Sequence, residues 1–441
     1  MSEKLKRAGD VIIGEIILTS SNGMQLNIAP QVVSIEITEN LFEPFTSGVL
    51  TIIDGQNLSN LFPLVGNEFV SVSFHTPTVG DDQYYYKKFF IYAISDKIKL
   101  TERTSGYQLR LISVEATIDR TTRVSRTFRG HPDEIVSSIV RLNGLMTSTP
   151  LIVEPALNDL VFISNMWKPT KCIDYVCRHA INANNSPTYL FFEQRNRFIF
   201  ATLEYLSSWD PIQAFAVNNW TKQAAVDSAN TSTVVDIAKD YQTIKQIQYS
   251  TGFNHFKRID SGYYGSETIG LDIATQQYIH IRNKSDFSKE KHLNKYSPIP
   301  HTVPVDSSAF IHYVPFVTQN FEGQNQGITD TDFEYRGIRQ QLISRLQATH
   351  LTIKVWGRSD YTVGSTIDLS IPKDQQITKK DDPEDKLLSG KYLITSLKHV
   401  VTPTEHNCNI QIMKDSFASD INYSLLATKA NTGNQNTVAT Q

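Results

Sequence analysis

The chain has 441 residues, with 42 Lys and Arg against 45 Asp and Glu and a formal net charge of −3. That length predicts about two to four domains, and the near-neutral balance argues against a protein whose main task is coating nucleic acid, which needs an excess of positive charge. Hydrophobic residues at 40% and charged residues at 20% are enough to bury true cores without covalent staples.

Three cysteines, Cys172, Cys177 and Cys408, are too few and too odd in number for a disulfide framework, and they fit assembly in a reducing cytoplasm. After the charged start, the apolar stretch Val11–Ile13 is too short for a secretory segment. Apolar runs such as Phe89–Ile94 are strand-sized, against the roughly 20 residues needed to span a bilayer. The expectation is a soluble chain without an export signal or membrane insertion.

In chain order, Val33, Ile35 and Ile37 alternate with polar residues, as in a half-buried strand. Gly48–Gly55 is a second strand, stopped by Asp54-Gly55, and Phe69–Phe74 a third with Val70, Val72 and Phe74 on one face. Phe89–Ser95 and Tyr107–Val114 follow, which together predict a small antiparallel barrel or sandwich. The pattern then changes. Pro132, Asp133 and Glu134 open a helix with a stripe of Ile135, Ile139 and Leu142, ended by Gly144. A second helix runs from about Pro169 to Ala183 with Cys172, Ile173, Val176, Cys177 and Ala180 on one face, and a hairpin covers Tyr189–Thr202. From Ile237 the β pattern returns, with only loose alternation at Ile244 and Ile247. A polar, proline-containing stretch at 285–333 leads to a helix at Tyr335–Thr349 carrying Ile338, Leu342 and Leu346. Strands at Leu351–Trp356, Thr366–Ile371, Lys391–Val401 and Asn407–Lys414 close the fold, and the tail after Leu426 has almost nothing to bury.

The last β region resembles the first. Val65-Gly66 followed by the 69–74 strand parallels Val363-Gly364 followed by 366–371; Phe89–Ile94 parallels Tyr392–Leu397; Tyr107–Leu111 parallels Cys408–Ile412. Any two antiparallel meanders share some likeness. The alternative is a duplicated barrel, in which 60–115 and 360–415 are equivalent and differ in the loops Thr78–Lys88 and Lys373–Ser389. Order and spacing favour duplication, and three two-barrel chains could form a ring with six similar positions.

The runs Val33–Pro44, Gly48–Asp54 and Leu64–Glu68, with Gly390–His399 and Ile412–Phe417, resemble the baseplate hub proteins of contractile phage tails and the hub half of type VI secretion spike proteins. The resemblance reaches to about Phe417. It implies a homotrimeric short cylinder with a central spike protein at one end and the tail tube protein at the other. The spike would be a separate protein, and DNA would meet the chain only in transit.

Chemistry-bearing constellations are weak. Cys172, Cys177 and His179 lack a zinc-ribbon spacing, and helical spacing puts the two cysteines about 140° apart; burial as small apolar side chains is the reading. Asp381, Asp382, Glu384 and Asp385 lie among Lys379, Lys380 and Lys386 and read as a solvated loop, although paired carboxylates also occur in glycosidases. Tyr84, Tyr85 and Tyr86 beside Lys87 and Lys88 could stack on single-stranded nucleic acid or form a loop and strand edge. Gly262, Gly265 and Gly270 form a turn cluster without the Lys-Ser/Thr of a phosphate loop. No catalytic, cofactor-binding or metal-binding residue is assigned, and no cofactor is expected.

The combined expectation is a β-rich α+β protein with two related antiparallel β-barrel domains and an inserted α+β domain. The first barrel covers 1–118 and the insertion 119–235. The second barrel covers 236–284 and 345–417, interrupted by a loop-rich segment at 285–344, and a polar tail covers 418–441. The expected function is a structural, non-enzymatic hub in the virion tail baseplate, contacting other baseplate proteins. The alternatives are a tail-associated peptidoglycan hydrolase and a carbohydrate-binding tail protein.

Overall fold

The structure is a computed structural model that describes residues 7–56, 62, 64–77, 84–217, 240–249, 254–272, 276–284, 287, 291–297, 310–316, 331–373 and 384–420. Among these, no helix is long and apolar enough to cross a membrane.

The first barrel is built from β1 (Ile12–Thr19), β2 (Gln25–Asn27), β3 (Val32–Asn40), β4 (Ser47–Asp54), β5 (Phe69–His75), β6 (Tyr85–Lys99) and β7 (Ser105–Ser113). Alternation works here as the sequence suggests: Val70, Val72 and Phe74 are buried with Leu50, Leu109 and Leu111. Val33 is the exception. A bulge between Val32 and Ser34 turns Val32 inward and leaves Val33 exposed, because one extra residue reverses the facing of everything before it.

The inserted body carries β8 (Val124–Gly130), β9 (Leu151–Val153), β10 (Leu160–Trp167), β11 (Tyr189–Gln194) and β12 (Arg197–Thr202), with helices at Pro132–Ser138 and Pro169–His179. β8 pairs with β10, and β11, β12 and β9 form a second small sheet. Cys172, Ile173, Val176, Cys177 and Ala180 pack into its core as the helical spacing predicts. Leu142 does not: it is 75% exposed. The first helix widens into a π turn at Ile139–Asn143, so each residue there advances less around the axis and Leu142 swings off the buried stripe.

The second barrel is formed by β13 (Pro211–Val217), β14 (Thr243–Tyr249), β18 (Thr349–Trp356), β19 (Thr366–Ser370), β20 (Gly390–Val401) and β21 (His406–Lys414), and a separate sheet by β15 (Gly265–Asp272), β16 (Tyr278–Lys284) and β17 (Ile311–Phe316). β13 falls within the stretch read from sequence as insertion, yet it hydrogen-bonds to β19 and β14 and closes this barrel. The long helix spans Thr331–Gln347. Phe333, Gly337, Gln341, Ser344, Arg345 and Leu346 are buried along it, while Ile338 and Leu342 are half-buried along a cavity of about 620 Å³.

The two barrels are topological copies. The first is ordered β3-β4-β7-β6-β5-β1 and the second β14-β18-β21-β20-β19-β13, which is the same chain order in the same neighbours. Register agrees to the residue as far as Ser95 in β6 and Lys398 in β20, beyond which β6 alone carries a further irregularity between Ser95 and Ile98. The Val32/Ser34 bulge against β4 recurs as Ile244/Gln246 against β18, which explains the loose alternation of Ile244 and Ile247. The Ile91/Ala93 bulge against β7 recurs as Ile394/Ser396 against β21. Leu50 opposes Leu109 as Ile353 opposes Ile410. Unrelated meanders have no reason to bulge at the same two places. Two pairings depart: β1 runs antiparallel to β5, whereas β13 runs parallel to β19, and β13 also pairs with β14 where the described residues show no β1–β3 pairing.

The paired glycines behave alike. Gly66 has φ 107° and Gly364 φ 79°, each turning the chain into its strand with a backbone that L-residues resist. A Cβ on Gly66 meets open space, but one on Gly364 comes within 2.8 Å of the Phe192 ring. Gly66→Ala is therefore expected to cost about 1 kcal/mol and Gly364→Ala about 2–4 kcal/mol, read from urea denaturation midpoints.

Candidate functional site: the seam between the barrels and its open counterpart

The described residues converge on a buried seam where the two barrels and the insertion meet. β20 outlasts its partner β19, which covers only Gly390–Leu393. Its second half pairs instead with β3 of the first barrel, from Ser396 opposite Asn40 to Val401 opposite Ile35. The two barrels thereby share one 13-stranded sheet. Thr76 and Ser359 add reciprocal bonds across the seam, the Ser359 amide donating to Thr76 Oγ1 at 3.0 Å and the Thr76 amide to Ser359 Oγ at 3.3 Å.

The β11–β12 turn of the insertion enters this seam. Lys87 Nζ lies 2.6 Å from Glu193 Oε1, with side chains 7% and 2% exposed. Glu193 Oε2 accepts from the Thr46 amide at 2.9 Å and from the Ser113 hydroxyl, and Lys87 donates to the Arg195 carbonyl at 3.1 Å. Gln194 reaches the second barrel, donating to Thr362 Oγ1 at 2.9 Å and to the Val363 carbonyl at 2.7 Å. Glu39 accepts from the amides of Arg195 at 2.9 Å and Val363 at 3.2 Å. One turn thus ties three bodies together.

Burial raises the Glu39 carboxyl to about 7, against the attraction of Lys87 and the two amide bonds. The folded state then holds a proton that the unfolded chain releases near 4.5, so Glu39 contributes stability below pH 4.5 that is lost as pH rises to about 7. Stability measured by urea denaturation is expected to carry this falling component in the wild type, and Glu39→Gln is expected to remove it.

The repeat predicts what the open counterpart of the seam looks like. β6 also outlasts β5, which covers only Tyr85–Phe90. Beyond its bulge, the strand edge facing away from β7 has no strand partner among the described residues. This half carries Ile94 and Ile98, 44% and 60% exposed, with Tyr92 and Leu100 also exposed. β14, the counterpart of β3, pairs with β18 along one edge and on the other meets β13 only at Thr243 and Ile244. β6 and β14 are the equivalents of β20 and β3, and among the described residues no pairing joins them.

The residues singled out from sequence fall elsewhere. Cys172 and Cys177 are free and buried, and His179 stacks on Tyr175 with centroids 4.1 Å apart. Tyr84 and Tyr86 are exposed, but Tyr85 is buried and Lys87 is bound to Glu193, so these residues form an alternating strand and not a basic stacking platform. Glu384 accepts from Ser370, and Asp385 caps the amides of Leu387 and Leu388. Gly262 ends a short turn, while Gly265 and Gly270 lie in β15. Lys379, Lys380, Asp381, Asp382, the loop at 78–83 and the tail after Asp420 lie outside the described residues.

No protein-family model matches the sequence, and no curated protein matches it. Solved structures do. The tail protein from Neisseria meningitidis MC58 aligns with a TM-score of 0.54 at 10% identity, over 91% of this chain and 96% of that one. The 43 kDa tail protein of prophage MuSo2 from Shewanella oneidensis aligns with a TM-score of 0.53 at 10% identity, over 91% and 99%. The chain has the fold of phage tail proteins, β-rich with related barrels and an inserted α+β body. At this identity the likeness is one of fold.

Proposed function

We propose that the chain is the hub of a contractile phage-tail baseplate: a non-enzymatic homotrimer that joins the hexameric tail tube to the trimeric central spike and lines the DNA channel. The observation that carries this reading is the residue-level repeat together with the in-chain seam. Inside one chain, the overhanging half of β20 zips onto β3. Repeating that step between chains lays the overhanging half of β6 against β14 of a neighbour. The two joints alternate, so the assembly closes after a whole number of chains. Three chains give six similar barrels, sixfold to a tube and threefold to a spike.

The in-chain register sets the joint between chains. His399 opposes Ile37 and Val401 opposes Ile35; carried through the repeat, the Asp96–Lys99 end of β6 lies against Ile247–Tyr249 of the next chain. Strand addition of this kind supplies backbone hydrogen bonds, and Ile94 and Ile98 lose their exposure.

Light-scattering mass of the purified chain, alone and with spike and tube proteins, tests the assembly, with three copies per complex expected. Purified peptidoglycan is expected to stay intact. Lysis abolished by a single Asp or Glu substitution would instead establish the hydrolase alternative.

A further inference from the structure

The seam holds a group of side chains that the hub reading does not use. In β20–β21 the register sets His399 opposite Cys408, and His406 lies two residues before Cys408 on the same face. All three are fully buried. His399 Nδ1 is 3.0 Å from His406 Nε2 and 3.2 Å from Cys408 Sγ, and Sγ is 3.6 Å from His406 Nε2. We propose that His399, His406 and Cys408 bind one zinc ion, or another borderline-soft divalent ion of the same class, as a clasp between β20 and β21 at the end of the second barrel that abuts the first.

Geometry carries this assignment. A triangle of donors with those sides has a point roughly 2 Å from every corner, the length of zinc–nitrogen and zinc–sulfur bonds. Without a cation the cluster is frustrated. A thiol and two neutral imidazoles can turn at most two of the three close contacts into hydrogen bonds, because an imidazole nitrogen that carries a proton cannot also accept, whereas an ion uses all three lone pairs at once. Imidazole and thiolate together suit zinc. Binding displaces the Cys408 thiol proton to solvent and forms a metal–thiolate bond. The pocket fits the rings: Phe74 of the first barrel lies 5.4 Å from His406 and 5.9 Å from His399, and Tyr85 lies 5.8 Å from His399. Gly357 leaves room for the His406 ring, which a Cβ there would overlap. His399 is itself in the β20–β3 seam, opposite Ile37, so the ion would fasten the strand that joins the barrels.

Because the site is sealed, loading accompanies folding. The full chain is refolded from urea with excess Co²⁺, with Zn²⁺, or with chelator. Expected results are about one cobalt per chain, visible bands of a low-coordinate cobalt site and a near-ultraviolet thiolate charge-transfer band, all displaced by zinc. The zinc form is expected to melt at least about 4 °C above the chelator-treated form. Cys408→Ser is expected to abolish the charge-transfer band, and His406→Gln to weaken cobalt binding at least about tenfold. Should these variants fail to fold, the wild type alone decides. Refolded wild type holding less than about one-tenth of an ion per chain, with unchanged melting, overturns the site. Bound cobalt without the thiolate band overturns it too.

Discussion

Replacing Lys87 by methionine is expected to lower stability by about 3–5 kcal/mol, because it leaves the Glu193 carboxylate buried without its cation. The pair is 2.6 Å apart and almost wholly enclosed, so water cannot take the place of the lysine. Glu193 also accepts from the Thr46 amide and the Ser113 hydroxyl, and those donors keep it from moving out. Adding Glu193→Gln removes the stranded charge while keeping an acceptor. The double variant is therefore expected to recover roughly half of the loss. Urea midpoints at pH 7 measure both. A single-variant cost under about 1 kcal/mol would show that the turn is not the tie between the three bodies.

The second large effect is on assembly. Ile94→Lys with Ile98→Lys places two charges on the open half of β6, where both side chains are exposed in the single chain. Such changes are expected to move the stability of the isolated chain by no more than about 0.5 kcal/mol each. Lysines on an edge strand block strand addition, and burying them between chains is expected to weaken trimer formation at least about 100-fold, a difference of about 2.7 kcal/mol. Sedimentation of wild type and variant over a concentration series reads this directly. An unchanged trimer would exclude this edge as the joint between copies.

Strand positions were legible in sequence because side-chain alternation survives wherever one face is buried, as at Val70, Val72 and Phe74. The repeat was legible from the Val-Gly turns at Gly66 and Gly364. The bulges were not, since an extra residue breaks the period that identifies a strand; Val33 and Ile244 show the consequence. Leu142 was misplaced because a π turn has no sequence period of its own. β13 was not assigned to the second barrel because it joins that barrel through non-local pairing to β19. The His399, His406 and Cys408 group was missed for a related reason. Its one local sign is His-x-Cys at 406–408, and the third member arrives only through the register of β20 against β21. The free edge of β6 likewise becomes visible only when β5 is seen to stop at its bulge.

The most direct measurement is a cryo-EM reconstruction of the assembled chain at a resolution that traces strands. The expected map is a threefold ring of six barrels in which β20–β3 joints within chains alternate with β6–β14 joints between them, Asp96–Lys99 lying against Ile247–Tyr249. A chain that stays monomeric with its spike and tube present, or a ring of six copies of this chain, would contradict it.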